Sequence, residues 1–152
     1  MGGAFSRGVE AQATWWFHPA VGAAVSYTYT DTGTKNTSPA IAAITNRILG
    51  IPQQRGTASL LFSPSPRLQA QFDWRLESDQ YEFGPTDFLP GRRPGNAVVN
   101  AHVRYAWEPA GSEVREIALT MKVQNLLNRD YEERKGFPSP GINFLLGAEL
   151  SI

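Results

Sequence analysis

The chain has 152 residues, which is long enough for one ordinary domain with a hydrophobic core of its own. Its 14 basic and 14 acidic side chains balance to a formal charge of zero, so charge gives no case for nucleic acid or an anionic membrane surface as a partner. The chain has no cysteine, which excludes a disulfide scaffold and a thiolate metal site.

The N-terminal segment, MGGAFSRGVE, contains no basic region followed by an apolar stretch, so the sequence predicts no signal peptide. No window approaches the roughly 18 consecutive apolar residues that a membrane-spanning helix needs. If the protein meets a membrane, we therefore expect it to do so with β-strands.

Apolar and polar residues alternate along seven segments, which is the pattern of β-strands with two unlike faces. In chain order the apolar positions are Val9, Ala11, Ala13, Trp15 and Phe17; Val21, Ala23, Val25, Tyr27 and Tyr29; Ala58, Leu60 and Phe62; Leu68, Ala70, Phe72, Trp74 and Leu76; Ala97, Val99, Ala101, Val103, Tyr105 and Trp107; Ile117, Leu119, Met121 and Val123; and Ile142, Phe144, Leu146, Ala148, Leu150 and Ile152. The separation is complete over residues 67–77. We predict seven strands and no strong helical domain.

The links between the predicted strands alternate between short and long. The short ones, rich in proline or glycine as tight turns require, are residues 18–20, 64–66 and 109–111. The long ones are residues 31–53, 78–95 and 126–141. Loops beyond about 12–15 residues are uncommon in compact domains, so three on one side of a sheet form a pattern of their own.

The first long link is also predicted to hold a short helix. Ser38 is the candidate N-cap and Pro39 a first-turn residue. Ile41, Ile44 and Ile48 would share one face, and the run Gly50-Ile51-Pro52 would end the helix.

Alternation alone fits either a soluble β-sandwich or a membrane barrel, since both hide one face of each strand. The polar face carries large hydrogen-bonding and charged groups, as a wet lumen requires, and strands of about ten to thirteen residues can cross a bilayer. Aromatic residues gather near the strand ends, as they do at membrane interfaces: Trp15, Trp16, Phe17, Tyr27, Tyr29, Trp74, Tyr81, Tyr105 and Trp107. We therefore predict an all-β fold of antiparallel transmembrane β-barrel strands, about seven or eight in meander order.

Several short motifs follow one another along the chain. They are Arg7-Gly8-Val9-Glu10 at a strand start, Tyr27-Thr28-Tyr29-Thr30-Asp31 at a strand end, Ile51-Pro52 closing a long loop, Val123-Gln124-Asn125-Leu126-Leu127-Asn128 with Tyr131 three residues on, and Phe137-Pro138 and Pro140-Gly141 before the last strand. In this order, over nearly the whole chain, they resemble the C-terminal part of TonB-dependent outer-membrane receptors.

The resemblance implies that residues 1–152 are a partial barrel of a larger receptor, with no plug domain present. A complete receptor of this family would have a plug domain, the energy-transducing protein TonB and a nutrient ligand, such as an iron chelate (siderophore) or cobalamin, as partners. Lipid and lipopolysaccharide of the bacterial cell outer membrane would surround it. Seven strands cannot close a barrel of the usual even count, so we expect no transport by the chain alone.

The resemblance also assigns roles to particular residues. Asn125, Leu126, Asn128 and Tyr131 form a family motif where the penultimate strand leaves the bilayer, and we interpret the asparagines as organising a turn rather than binding a ligand. Ten polar strand residues would face the lumen: Arg67, Gln69, Gln71, Asp73, Arg75, Asn100, His102, Arg104, Lys122 and Gln124.

The residues themselves favour binding over catalysis. We find no nucleophile motif, phosphate loop or paired histidine spacing, so the sequence predicts no enzyme, no metal site and no cofactor. Arg92 and Arg93, on the long-loop side, could contact an anionic ligand such as a metal chelate or lipopolysaccharide phosphates, or could be solvated loop charges. A small stand-alone β-barrel serving as a structural or binding module is the alternative; it would need an eighth strand from a long loop or pairing between chains.

Overall fold

The computed structural model describes residues 3–35, 38–111 and 113–152. The predictions for the N-terminal segment and the first long link fall partly on residues 1, 2, 36 and 37, which lie outside the described residues, as does residue 112. The elements within the described ranges are β1 (Gly3–His18), β2 (Val21–Lys35), α1 (Pro39–Ala42), β3 (Gln54–Ser65), β4 (Leu68–Glu77), β5 (Gln80–Glu82), β6 (Gly91–Arg93), β7 (Asn96–Trp107), β8 (Glu116–Gln124), β9 (Glu132–Arg134), β10 (Phe137–Pro138) and β11 (Asn143–Ser151).

Seven strands form one antiparallel sheet in the order β1-β2-β3-β4-β7-β8-β11. Each strand pairs with the next long strand along the chain, so the sheet is a meander, as predicted. The predicted long links contain two small sheets of their own, β5 with β6 and β9 with β10. The sheet is open, with β1 and β11 at its two edges.

The first two strands are longer than predicted. β1 has 16 residues and β2 has 15, and their pairing continues to Gly3 opposite Lys35. Clear alternation of apolar residues stops at Tyr29, but the β-branched threonines at positions 30, 32 and 34 favour extended backbone and carry the strand further. β8 has nine residues, as its alternation predicts, whereas β11, also with nine, is slightly shorter than its predicted run from Ile142 to Ile152.

The strand registers join the seven apolar patterns into one continuous face. Leu60 of β3 lies opposite Phe72 of β4, and Phe72 lies opposite Ala101 of β7. Ala101 in turn lies opposite Val123 of β8, which lies opposite Phe144 of β11. Because side chains alternate along each strand, a register shift of one residue anywhere would turn a whole strand's apolar set to the other face.

This apolar face is exposed over most of its area, as the sequence predicts for a lipid-facing surface. Trp15 is 71% exposed and Leu146 is 81% exposed. The buried apolar side chains among the described residues are few and mostly small, namely Val98, Val99, Ala106, Ala118 and Val123. So large an apolar face is unusual on a protein surrounded by water, and it marks a surface that contacts an apolar medium or a partner.

Aromatic pairs lie on the apolar face at the end of the sheet that carries the short turns. Trp15 and Phe17 pack edge to face with ring centroids 6.1 Å apart, and Tyr105 and Trp107 stack at 6.2 Å. Trp16 points to the other face, where its indole covers Gly22 on the neighbouring strand, and any side chain there would collide with the ring.

The predicted helix is much shorter than its apolar pattern indicates. α1 ends at Ala42, so Ile44 and Ile48 lie beyond it, and Ser38 makes no side-chain capping bond. The chain after α1 is held against β2 instead, because Thr34 N donates to Asn46 O at 2.8 Å and Ile48 N donates to Thr32 Oγ1 at 3.2 Å. No helix in the described ranges is both long and apolar enough to cross a membrane.

Candidate binding site on the polar face

The polar face of the sheet gathers the residues predicted to face a lumen. Their registers place Gln71 opposite His102 and His102 opposite Lys122, while Asp73 lies opposite Asn100 and Gln69 opposite Arg104. Arg75 and Gln124 share this face at its long-loop end. Arg67 does not lie on a strand: it precedes β4 in the turn, where its carbonyl oxygen accepts a hydrogen bond from Ala106 N at 2.8 Å.

Hydrogen bonds cross between the strands on this face. Asp73 of β4 accepts from Ser59 Oγ of β3 at 2.6 Å and, within its own strand, from Gln71 Nε2 at 2.7 Å. Arg104 of β7 pairs with Glu116 of β8 at 2.6 Å. Within the described residues, the buried Nε2 atom of His102 has no hydrogen-bond partner. The polar face is therefore partly self-satisfied and retains capacity for a further polar partner.

A buried arginine ties the second long loop to the sheet. Arg93 on β6 is 1% exposed, and its guanidinium forms ion pairs with Glu77 at 3.2 Å and Glu82 at 3.0 Å. It also donates to the Glu132 carbonyl oxygen at 2.7 Å. Burial of a guanidinium is tolerated because two carboxylates and a carbonyl oxygen satisfy it.

The two predicted anion contacts thus have different surroundings. Arg92 is exposed and paired with Asp79 at 3.1 Å, whereas the donors of Arg93 are directed at protein acceptors. Glu77 also pairs with Arg55 of β3 at 3.2 Å, so that three elements meet at one carboxylate. Of the two arginines, only Arg92 presents its charge to solvent.

The second and third long loops contact each other directly. Lys135 N donates to Glu82 Oε1 at 2.7 Å, and the Lys135 ammonium forms an ion pair with Asp87. The hydrogen bond that the Lys135 ammonium donates to Asp87, together with one from Gly84 N, holds the pKa of Asp87 below its usual range. Asp87 therefore remains ionised at lower pH than a free aspartate, and the ion pair between the loops persists with it.

The asparagine motif forms a tight turn directly after β8. Asn125 and Asn128 have left-handed backbone, with φ of 52° and 48°, a conformation that asparagine tolerates better than most residues. Asn125 is 1% exposed, and its side chain bonds the amide and carbonyl of Arg129 and the carbonyl of Pro140. Asn128 Oδ1 accepts from Ile142 N at 2.9 Å. This is the turn-organising geometry expected from the sequence.

Replacing Asn125 with alanine should lower the free energy of unfolding by about 2 kcal/mol, because buried backbone groups lose partners and alanine is strained at positive φ. Asn125→Gly, which relieves the strain alone, should recover about 1 kcal/mol of that loss. Urea denaturation in detergent would measure both. Asn143→Ala is the matched control, since no protein hydrogen bond of its side chain is found in the described part; a loss equal to that of Asn125→Ala would contradict the assignment.

A pocket of about 420 Å³ opens between the polar face and the third long loop. Its walls come from the sheet (Arg75, Val98, Asn100, Gln124 and Asn143) and from the loop (Asn125, Tyr131, Glu133 and Pro140). Arg75 Nη2 and Glu133 Oε1 are 3.2 Å apart and bridge the two. The pocket brings together three residues predicted to face the lumen, Arg75, Asn100 and Gln124, and two residues of the family motif, Asn125 and Tyr131.

Sequence reasoning did not identify Glu133 or Asn143 as pocket residues, nor Glu77 and Glu82 as partners of a buried arginine. The alternation places Glu77 on the polar face, but its partner comes from a loop 16 residues further along the chain. Asn143 lies in the sheet opposite Gln124, whereas Glu133 reaches the pocket only because the third long loop folds back over the sheet. No local pattern in the sequence signals that folding.

The comparisons with known proteins concern both family and fold. The family model described as "TonB dependent receptor-like, beta-barrel" matches residues 1–126. No curated protein is detectably similar in sequence. A similar solved structure is the closed form of the ferric-catecholate import receptor Fiu from E. coli K12, with 18% identity and a TM-score of 0.72. The likeness covers 97% of this chain and 21% of Fiu, so the chain spans about 21% of that receptor's length, and at this identity the likeness is one of fold.

Proposed function

The chain belongs to the TonB-dependent receptor β-barrel family, and from that premise we propose that residues 1–152 are the C-terminal part of a receptor barrel in the outer membrane of a bacterium. The single observation that carries the proposal is the continuous, exposed apolar face opposite a hydrogen-bonded polar face. We propose that the apolar face contacts lipid tails and outer-leaflet lipopolysaccharide, and that the polar face borders an aqueous lumen.

The proposed function of the complete receptor is uptake of a scarce nutrient across the outer membrane. By the family's general design, a plug domain would fill the lumen, and TonB would supply the energy. Iron chelates and cobalamin are the proposed nutrient classes, and Fiu, which imports ferric catecholate, supports iron uptake as the first to test. Arg92 is the proposed contact for an anionic chelate or a lipopolysaccharide phosphate, because it presents its charge to solvent. We propose no catalytic role.

The parity of the sheet argues against a stand-alone barrel. In an antiparallel meander of seven strands, β1 and β11 run in the same direction, so pairing them would make a parallel ladder. A second copy with the same orientation in the membrane would meet the same obstacle. Strands β5, β6, β9 and β10 have at most three residues and are already paired within the long loops. Closure therefore calls for an odd number of further strands, as a larger receptor would supply.

The experiment is uptake by cells that carry or lack the gene for the complete receptor, each with and without functional TonB. Radiolabelled iron as a ferric catecholate, iron as a ferric hydroxamate, and cobalamin are the three probes. We expect uptake of one probe to fall to background when either the receptor or TonB is removed. If uptake of all three is unchanged in both mutants, or the protein is absent from outer-membrane fractions, the proposed function is wrong.

A further inference from the structure

The pocket beneath the third long loop has many hydrogen-bonding groups that the protein leaves unused. Asn100 Oδ1 accepts from Asn125 N at 3.0 Å, but its amide nitrogen has no protein acceptor among the described residues. The side-chain amides of Gln124 and Asn143 have no partner in that part of the chain either. The Tyr131 hydroxyl has only a long contact of 3.5 Å to Glu133. Donors and acceptors are therefore mixed around one cavity.

The charge of the pocket is balanced. Arg75 and Glu133 are its two charged side chains, and they pair with each other at 3.2 Å. An anion would be repelled by Glu133, and a cation by Arg75, unless the pair were broken. An apolar ligand would find little to contact, since only Val98 and Pro140 in the lining are fully apolar. The pocket therefore suits a neutral ligand with many hydrogen-bonding groups.

A peptide strand is a poor fit in the complete receptor. At the pocket, Gln124 of β8 lies opposite Asn143 of β11, and closure of the barrel by a further strand would occupy the outer edge of β11. Peptide recognition by strand addition needs an unpaired sheet edge. The pocket can offer only side-chain amides, a phenol and an ion pair, and planar groups of this kind bind adjacent hydroxyls through paired donors and acceptors.

We propose that this pocket binds a neutral, hydroxyl-rich ligand of the saccharide class. The inference rests on the proposed receptor function and names a ligand class for its polar face. The volume of about 420 Å³ lies within the range of small-molecule sites, and Tyr131 supplies one ring against which an apolar sugar face packs. Gln124, Asn143 and Asn100 supply hydrogen bonds to hydroxyls, and Arg75 with Glu133 supplies a donor and an acceptor side by side.

The test uses the complete receptor, purified in detergent, and calorimetric titration with neutral trisaccharides of the gluco, galacto, manno and xylo series. We expect at least one to bind, and its acidic uronate counterpart to bind more weakly. The double variant Gln124→Leu/Asn143→Leu should raise the Kd at least about tenfold, because buried hydroxyls lose their partners. Gln124→Glu is a second variant of nearly unchanged size, with the same expected direction, in case the double variant fails to fold.

Gln69→Leu is the matched control. Gln69 lies on the same polar face six residues before Arg75, roughly 20 Å along β4, and should leave the Kd unchanged. No binding of any neutral trisaccharide, or equal affinity in wild type and both pocket variants, would overturn the inference. Uptake measured separately distinguishes the two proposals: TonB-dependent iron uptake without saccharide binding rejects only the ligand class, whereas saccharide binding without any TonB-dependent uptake rejects the transport function.

Discussion

Replacing Arg93 with methionine is expected to detach both of the last two long loops from the sheet. The substitution leaves Glu77 and Glu82 as neighbouring carboxylates without their shared cation, and the Glu132 carbonyl oxygen loses its donor. Removing one partner of a buried ion pair costs about 3–5 kcal/mol, because the remaining charges stay away from water. Opening the loops would return these carboxylates to water. We therefore expect residues 78–95 and 126–142 to lose local stability while the sheet keeps its own.

Hydrogen exchange of the complete receptor, followed by mass spectrometry, would measure this effect. We expect amides of β5, β6 and β9 to exchange about a hundredfold faster or more, while amides in the centre of β4 and β7 remain protected. Arg92→Met is the matched control, one residue away in sequence. Its ion pair with Asp79 is exposed, so it should change exchange by less than about threefold. Equal effects of the two substitutions would show that Arg93 does not hold the loops.

Arg93 and its acceptors join the second and third long loops to the sheet and to each other. A single guanidinium contacts the sheet through Glu77, the second loop through Glu82 and the third loop through Glu132. The first loop joins them where Gly50 N donates to Tyr81 O at 2.8 Å. The three loops therefore form one connected structure over the polar face, and this structure positions Tyr131 and Glu133 against the pocket.

Much of the sheet could be predicted from the sequence because its two faces meet different surroundings. In Leu68, Phe72 and Trp74, and likewise in Gln71 and Asp73, the period of two assigns each residue to a face without any knowledge of its neighbours. The same local logic identified the turn at Asn125 and Asn128, where left-handed backbone favours asparagine. Patterns that depend only on a residue and its nearest neighbours in the chain can be recognised from a single sequence.

The remainder depends on contacts that are distant in sequence. The pattern of Ile41, Ile44 and Ile48 predicts a longer helix, but hydrogen bonds with β2 hold that segment as a loop instead. From the sequence, Arg93 is indistinguishable from a solvated loop charge, because its partners Glu77 and Glu82 are distant in the chain. Strand propensity, turn chemistry and alternation cannot predict such contacts, because the contacts form only when the loops fold over the sheet.

Replacing Leu146 with arginine should prevent or greatly weaken assembly of the receptor in the membrane. Leu146 lies at the middle of β11 on the apolar face, opposite Met121, and is 81% exposed. If this face contacts lipid tails, an arginine there costs about 2–4 kcal/mol at the bilayer midplane. On a protein surface in water the same exposed substitution would cost almost nothing, within about 0.5 kcal/mol, so the two environments predict different results.

Leu145→Arg is the matched control, because it places the same new side chain on the same strand with only the face changed. Leu145 points to the polar face, where an arginine can reach water. Heat-modifiable migration and the free energy of unfolding in lipid vesicles would compare the two variants of the complete receptor. We expect Leu146→Arg to lose folded receptor while Leu145→Arg stays close to wild type. If Leu146→Arg assembles normally and Leu145→Arg does not, the apolar face lies against protein or water, and the assignment of the two faces must be reversed.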